Sequence, residues 1–183
     1  MIITILNGKP GNSYSGFNDF LIKISKFLEK ESHRVKIINL EKLNIEYCRG
    51  CFSCWTKTPG KCIFDDDMST IYPDIINTDL LIFASPLIMG FTSALLKSVQ
   101  DRLIPLIHPY FEIINDEFHH KKRYENYPKL GLLVEKEETT DGEDLEIIAD
   151  IYKRLALNFR SELKFSKTMA SSEEDIINAI NNI

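Results

Sequence analysis

Short apolar runs alternate with amphipathic segments along this chain, and that alternation limits the possible folds more than any other feature. Continuous apolar runs are typical of strands that are buried on both faces of a sheet. The predicted strands cover residues 2–6, 34–39, 80–84 and 130–134, and an alternating edge strand lies at residues 163–165. The third run is the most hydrophobic of the five, which suits a central position in the sheet.

Apolar residues at 3.6-residue spacing between these runs predict amphipathic helices. The predicted helices cover residues 17–28, 68–77, 93–103, 144–158 and 171–182. Strands that alternate with helices in this way favour an α/β fold with an open, mostly parallel sheet. Five strands predict the flavodoxin-like order 2-1-3-4-5, with helices on both faces of the sheet.

Two long stretches interrupt the alternation. Residues 47–65 form a cysteine-rich loop, and residues 105–128 form a long excursion before the fourth strand. Loops of this length in compact domains are usually functional or disordered. A chain of 183 residues is long enough to bury one full core. We therefore expect one domain over residues 1–183 that carries both stretches.

Charge and hydropathy argue against several classes of function. A net charge of −5 disfavours a nucleic-acid partner, because phosphate backbones attract basic surfaces. The sequence has no apolar run long enough to span a bilayer, so we expect no membrane partner. The first residues, MIITILNGKPG, lack the basic segment and cleavage site of a signal peptide, which favours a cytoplasmic location.

Two loops of the predicted sheet lie where doubly wound folds bind ligands, beyond the carboxyl ends of strands 1 and 3. In the first loop, residues 7–16, Gly8 and Gly11 allow close backbone approach, and Lys9 adds a positive charge. Ser13 and Ser15 add hydroxyl groups before a helix N-terminus, where a phosphate is favoured. A capped turn between strand and helix explains the same residues equally well.

The second loop, residues 85–92, leaves the most hydrophobic strand through a Ser-Pro pair and reaches Gly90 before the next helix. A flat hydrophobic ring would fit across such a loop while backbone amides meet its polar edge. The alternative is that Leu87, Ile88 and Met89 pack on a neighbouring subunit or helix.

All four cysteines lie in the stretch CRGCFSCWTKTPGKC. A disulfide, a zinc site, a redox dithiol and an iron–sulfur cluster are all compatible with such clustering. Three cysteines at consecutive x2 intervals suit a cubane better than the two separated pairs typical of zinc. Arg49, Lys57 and Lys61, with no acid in the stretch, favour an anionic site but also a reactive dithiol.

Three charged residues follow the second loop on the predicted helix at residues 93–103. Lys97 precedes Asp101 by four positions, a spacing that favours a surface ion pair on a helix. Ion pairing at the surface or between helices is the simplest explanation for all three residues, and a role in a subunit interface is the alternative for Arg102.

Three stretches resemble the NAD(P)H-dependent FMN reductase group of flavodoxin-like proteins and, within it, the iron–sulfur flavoprotein family. In chain order they are LNGKPGNS, CRGCFSCWTKTPGKCIFDDDM and SPLIMGFTSALLKSVQDR. The resemblance covers roughly the first 105 residues. The first loop departs from the family pattern because it is shorter and lacks an arginine. Ile88 and Met89 stand where relatives have aromatic residues, and glycine follows strand 4 only at Gly142.

The resemblance implies a non-covalently bound FMN and a 4Fe–4S cluster. The implied phosphate contacts are Gly8, Lys9, Asn12, Ser13 and Ser15. The implied contacts to the isoalloxazine ring are Ser85, Pro86, Leu87, Ile88, Met89 and Gly90. The implied cluster ligands are Cys48, Cys51, Cys54 and Cys62, whose C-x2-C-x2-C-x7-C spacing falls within the pattern of the iron–sulfur branch.

The function implied by the resemblance is an oxidoreductase that couples FMN to the cluster in electron transfer. A flavin exchanges electrons in pairs or singly, whereas a cluster passes one at a time, so the two would join different kinds of redox partner. The implied donor is NAD(P)H or a ferredoxin, and the implied assembly is a homodimer or homotetramer. Two alternatives remain: a cluster-free NAD(P)H-dependent FMN or quinone reductase, and a non-enzymatic module that has lost flavin.

Overall fold

The computed structural model describes residues 1–11, 16–114 and 116–183. In chain order its strands and helices are β1 (Ile2–Asn7), α1 (Phe17–Lys30), β2 (Arg34–Asn39), α2 (Ser53–Thr56), α3 (Met68–Ile76), β3 (Leu80–Ile88), β4 (Phe91–Thr92), α4 (Ala94–Asp101), β5 (Ile107–Ile114), β6 (Glu117–Lys122), β7 (Lys129–Glu135), α5 (Gly142–Asn158), β8 (Leu163–Thr168) and α6 (Glu173–Asn181). Single 3-10 turns follow β2 at Leu40–Lys42 and precede β5 at Ile104–Leu106.

The central sheet runs in the order β2-β1-β3-β7-β8, and neighbouring strands along this path are parallel. The α/β class with a mostly parallel sheet is therefore confirmed. The strand count differs from the predicted five, because the two-residue β4 pairs antiparallel with β3 as a sixth strand of this sheet. The described residues also include a separate two-stranded sheet, β5–β6.

Strand β3 extends four residues further than the apolar run at residues 80–84 predicts. Ser85 and Pro86 stay in register with Val134 and Glu135 of β7, and the strand ends at Ile88. A residue before proline is biased toward extended backbone, so the Ser-Pro pair continues the strand here and does not end it. The chain then reverses at Met89–Gly90 into β4, so a hairpin replaces most of the expected loop.

Helices cover both faces of the sheet, as predicted. One core packs α3, α4 and α5 against alternate strand residues such as Leu81 and Phe83. The other packs α1 and α6 against the intervening residues, such as Ile82 and Ala84. Because β3 is buried on both faces, both of its residue sets are apolar, which explains its continuous hydrophobic run.

The two predicted long stretches contain regular structure. Residues 105–128 hold the β5–β6 hairpin, so the predicted excursion contains a small sheet of its own. No burial pattern in the sequence predicts this hairpin, because its large hydrophobic residues are exposed: Tyr110, Phe111, Ile113 and Phe118. The cysteine-rich loop contains the short helix α2.

Within the described ranges, no helix is long and apolar enough to cross a membrane.

Candidate functional site

Gly8 occupies a crowded position at the carboxyl end of β1. Its amide donates to the Ala84 carbonyl at 2.8 Å, and its carbonyl accepts from the Ser93 hydroxyl. A Cβ at Gly8 would meet Leu96 Cβ at 2.7 Å and Ser93 Oγ at 3.0 Å. Glycine is needed here because the loop after β1 packs directly on β3 and on the start of α4.

Lys9 is held at the same edge of the sheet by an acid that the sequence did not single out. Its Nζ lies 3.2 Å from Glu135 Oε2 at the end of β7, and its side chain is only 11% exposed. Its amide donates to Asn7 Oδ1 at 3.1 Å. The Lys9 ammonium group therefore belongs to the loop that follows β1 and pairs with Glu135 at the end of β7.

Asn7 organises the polar groups beside Lys9. Its amide nitrogen donates to Asn18 and to Asn39, each at 2.8 Å, which links β1 to α1 and β2. A cavity of about 370 Å³ opens beside these residues and is also lined by Glu41 and Lys42. The amides and cations of this edge are suitable donors for an anionic group. Asn12, Ser13 and Ser15 lie outside the described residues.

The residues predicted to contact a ring divide into buried and exposed sets. Ser85, Pro86 and Leu87 are buried, and Ser85 Oγ accepts the Ser93 amide at 2.9 Å. As the chain stands, these three residues therefore present little surface to a ligand. Ile88 is 43% exposed and Met89 is 87% exposed.

The hairpin at Met89 and Gly90 presents apolar surface on a strained turn. Met89 has φ 53° and Gly90 has φ 78°, the left-handed region that glycine tolerates best. Phe91, on the other side of the turn, is 59% exposed. The Gly90 amide donates to Glu137 at 3.3 Å, so the loop after β7 contacts this hairpin.

The four cysteines are free thiols that share one small cavity of about 20 Å³. Cys48 and Cys51 are exposed, whereas Cys54 and Cys62 are half-buried. Among the described residues, no group of three or more His, Cys, Asp or Glu side chains is placed to hold a metal ion. The thiols therefore line a common space without forming a closed ion site.

The surroundings of the thiols differ in their effect on acidity. Hydrogen bonding with Ser53 lowers the pKa of Cys51. Burial, followed by the neighbouring Cys62, raises the pKa of Cys54. Cys51 is thus the thiol whose environment favours the thiolate, the form that ligates metals and attacks disulfides.

A buried ion pair joins the residues on either side of the cysteine stretch, and the sequence predicted neither its burial nor the partner of Arg102. Arg102 donates to both carboxylate oxygens of Asp66, at 2.8 and 2.9 Å, and both side chains are almost fully buried. Arg102 is thus paired inside this chain, and Lys97 forms the expected surface pair with Asp101. The run of three acids at residues 65–67 was the available signal for a partner of Arg102.

Trp55 connects α2 to the start of β5 and to the turn before it. Its indole nitrogen donates to the carbonyls of Ile104 and Ile107, at 3.1 and 3.0 Å. Its ring stacks on Phe52 at 5.3 Å and contacts His120 at 4.9 Å. The cysteine stretch and the β5–β6 hairpin are consequently packed against each other.

The sequence profile of the NADPH-dependent FMN reductase family matches residues 1–123, which are most of the chain. An iron–sulfur flavoprotein of Archaeoglobus fulgidus is 31% identical over 101 residues, covering 55% of this chain and 44% of that protein. An iron–sulfur flavoprotein of Methanosarcina thermophila is 31% identical over 117 residues, covering 63% of this chain and 59% of that protein. The chain thus spans about half the length of these curated relatives.

The fold is shared with solved flavoenzymes. An FMN-dependent NADH-azoreductase of Bacillus anthracis in complex with FMN superposes with a TM-score of 0.64. The two chains are 13% identical, and the match covers 100% of this chain and 95% of that one. At this identity the likeness establishes the α/β architecture alone.

Proposed function

Because this chain belongs to the NADPH-dependent FMN reductase family, we propose that it is a flavin-dependent oxidoreductase that holds FMN at the carboxyl edge of its sheet. The observation that carries the proposal is the junction of β1 and β3. There the Gly8 amide bonds to the Ala84 carbonyl, which brings the polar loop after β1 beside the apolar hairpin after β3. A flavin phosphate needs the first of these surfaces and its ring the second.

The chain's own residues would divide the binding between them. Lys9, with Gly8, Asn12, Ser13 and Ser15, would bind the phosphate, and Lys9 would exchange its bond to Glu135 for the phosphate oxygens. Ile88 and Met89, which are exposed, would contact the ring together with Gly90. Ser85, Pro86 and Leu87, which are buried as the chain stands, would lie behind them as part of the same ring site. FMN, when bound, supplies the ability to accept a hydride and to release electrons singly.

We further propose that Cys48, Cys51, Cys54 and Cys62 ligate a 4Fe–4S cluster. All four line one cavity, and no acid lies between the first and the last. A cubane offers a separate iron to each of four thiolates, so its ligands lie further apart than the ligands of a single zinc ion. The cavity as it stands is small, so the stretch must widen to admit a cluster.

The partners follow from this pairing of cofactors. The family name supports a nicotinamide donor, and a cluster would pass single electrons to a further carrier such as a ferredoxin. A homodimer or homotetramer and a single domain over residues 1–183 remain part of the proposal.

Flavin binding is tested by titrating the protein with FMN and with riboflavin, which lacks the phosphate, while following flavin fluorescence. We expect Lys9→Gln to weaken FMN about tenfold, the effect of one charge-assisted hydrogen bond, and to leave riboflavin unchanged. Lys30→Gln, at the far end of α1, is the matched control. Absence of saturable FMN binding, or an equal loss for both flavins, would contradict the proposed site.

The cluster is tested by iron and acid-labile sulfide analysis after anaerobic reconstitution. We expect about four of each per chain, as a 4Fe–4S centre requires. Serine at Cys48, Cys51, Cys54 or Cys62 should reduce both contents, whereas Lys57→Gln in the same stretch should not.

A cluster-free NAD(P)H-dependent FMN or quinone reductase is the second candidate. It is favoured by the finding that the described residues form no ion-binding group around the thiols. Full flavin-dependent NAD(P)H oxidation by an iron-free protein, unchanged by the serine variants, would select it.

A further inference from the structure

Arg102 is a buried cation in the wall of the four-cysteine cavity. It is 2% exposed, and it lines this cavity together with all four cysteines. The guanidinium carbon also lies 5.4 Å from the centre of the Phe64 ring, which follows Cys62 closely in the chain. Charge in this position is shielded from water and acts strongly on its neighbours.

Arg102 and Asp66 together close the base of the cysteine stretch. Arg102 donates to the Glu46 carbonyl at 2.6 Å as well as to Asp66, and Asp66 accepts the Glu46 amide at 2.8 Å. Glu46 comes just before the first cysteine and Asp66 just after the last. The pair therefore ties both ends of the stretch to each other and to the end of α4, and we call this arrangement the clasp.

The clasp leaves one donor of Arg102 unused. Among the described residues, the buried Nε of Arg102 has no hydrogen-bond partner. Buried donors are normally paired, so this nitrogen is an exception among the polar atoms of the clasp. Burial lowers the pKa of Arg102, but its hydrogen bonds to Asp66 outweigh this effect and hold the pKa above its ordinary value, so the cation persists.

We propose that Arg102 is the positioning residue of the four-cysteine site, on the premise of the proposed 4Fe–4S cluster. The two terminal nitrogens of its guanidinium group, which we call the fork, hold the two ends of the stretch at a fixed separation by their bonds to Glu46 and Asp66. Arg102 lines the cavity and its partner Asp66 does not, so the positive end of the pair is the nearer one to the thiols, and the acid in the lining, Asp101, pairs with Lys97. The nearer positive charge favours the anionic, thiolate-ligated cluster and, most of all, the form that has gained one further electron. Net charge and hydrogen bonds near a cluster set its reduction potential.

Two measurements distinguish the positioning role of the Arg102 fork from the role of its charge. The first is the midpoint potential of the reconstituted protein, titrated with dithionite. The second is the rate of tryptic cleavage at Lys57 and Lys61 in the protein without iron, which reports how firmly the clasp holds the stretch. Arg49→Gln is the matched control, because Arg49 lines the same cavity and contacts Phe64 but is 71% exposed at its side chain.

We expect Arg102→Gln to make the cluster at least tenfold harder to reduce, a shift of about 59 mV to lower potential, and to speed cleavage at least tenfold. Arg102→Lys should keep the potential within threefold of wild type, because it keeps the charge. It should still speed cleavage, because lysine lacks the fork. Arg49→Gln should change both quantities by less than threefold, since water screens its charge.

If Arg102→Gln leaves a lone buried acid and fails to fold, the double variant Asp66→Asn with Arg102→Gln provides the test. It should speed cleavage at least tenfold, but it should make the cluster only about three- to tenfold harder to reduce, because the negative charge of Asp66 is removed together with the positive charge of Arg102. Equal potentials for Arg102→Gln, Arg49→Gln and wild type would overturn the role of the charge. Unchanged cleavage in Arg102→Gln would overturn the clasp. A wild-type protein that takes up no iron and sulfide refutes the cluster and the charge role with it, while the cleavage rates still decide the clasp.

Discussion

At the scale of single residues, Gly8 shows how much of the candidate site depends on an absent side chain. The position has no unusual backbone angle to explain its glycine, and the reason is the close approach of Leu96, Ser93 and Ala84. The sequence marked Gly8 as a ligand contact. The structure adds that it is first a packing contact between β1, β3 and α4.

Alanine at Gly8 should therefore destabilise the protein. We expect Gly8→Ala to lower the free energy of unfolding by about 1–3 kcal/mol, the usual cost of an added methyl in a packed site. Urea denaturation measures the change. Gly142→Ala is the control, because a Cβ there meets nothing within 4 Å. Equal unfolding midpoints for the two variants would show that the loop after β1 moves to accept a side chain.

Asp66 should make stability depend on acid pH. Burial raises the pKa of Asp66, but the hydrogen bonds from Arg102 and the Glu46 amide outweigh it and hold the pKa below its ordinary value. A carboxyl with a lowered folded pKa stabilises the protein above its unfolded pKa of about 3.9, and that contribution is lost as pH falls through the folded pKa.

We therefore expect Asp66→Asn to be less stable than wild type at neutral pH, with the difference narrowing below about pH 4. Urea midpoints measured from pH 7 to pH 3 give the two curves. Asp65→Asn, an exposed neighbour, should follow the wild-type curve. A constant difference across this range would mean that the ionisation of Asp66 does not contribute.

At the scale of elements, the β3–β4 hairpin is the part of the candidate site that sequence patterns did not predict. Its turn is not a glycine-rich pair, since Met89 precedes Gly90, and both residues adopt positive φ. Strong hairpin signals place Asn or Asp before Gly, so Met at this position hides the turn. The helices and parallel strands were predicted closely because their burial gives them a regular period.

Each turn residue makes a distinct prediction. Gly90→Ala places a Cβ at φ 78° and should cost about 1–2 kcal/mol of stability. Met89→Gly should relieve the backbone strain at φ 53° and raise the free energy of unfolding by about 1 kcal/mol or less. Thermal unfolding of both variants checks the signs. Opposite signs, with Gly90→Ala the more stable, would mean that the turn differs from the one described.

At the scale of the whole molecule, the fold follows from the alternation of apolar runs, but the clasp does not. The clasp joins Glu46, Asp66 and Arg102, whose separations in sequence carry no period. Long-range ion pairs of this kind arise from topology, which brings the end of α4 under the cysteine stretch. The three-acid run and the DR pair at residues 101–102 were visible in the sequence, but nothing in it linked them.

We propose two cofactor sites in one molecule, an FMN site at the carboxyl edge of the sheet and a cluster site in the cysteine stretch. FMN at the carboxyl edge would exchange electron pairs with a nicotinamide, and the cysteine stretch would carry single electrons onward. Both cofactors must be present in the same molecule for that exchange.

The most direct test of this account is an anaerobic titration of protein reconstituted with FMN, iron and sulfide, adding NADPH in steps and recording the visible spectrum. The account predicts structured flavin bands above a broad iron–sulfur shoulder, with both losing absorbance on reduction. Flavin bands that bleach without any iron–sulfur shoulder would contradict the coupling and leave a simple reductase. A colourless protein would contradict flavin binding itself.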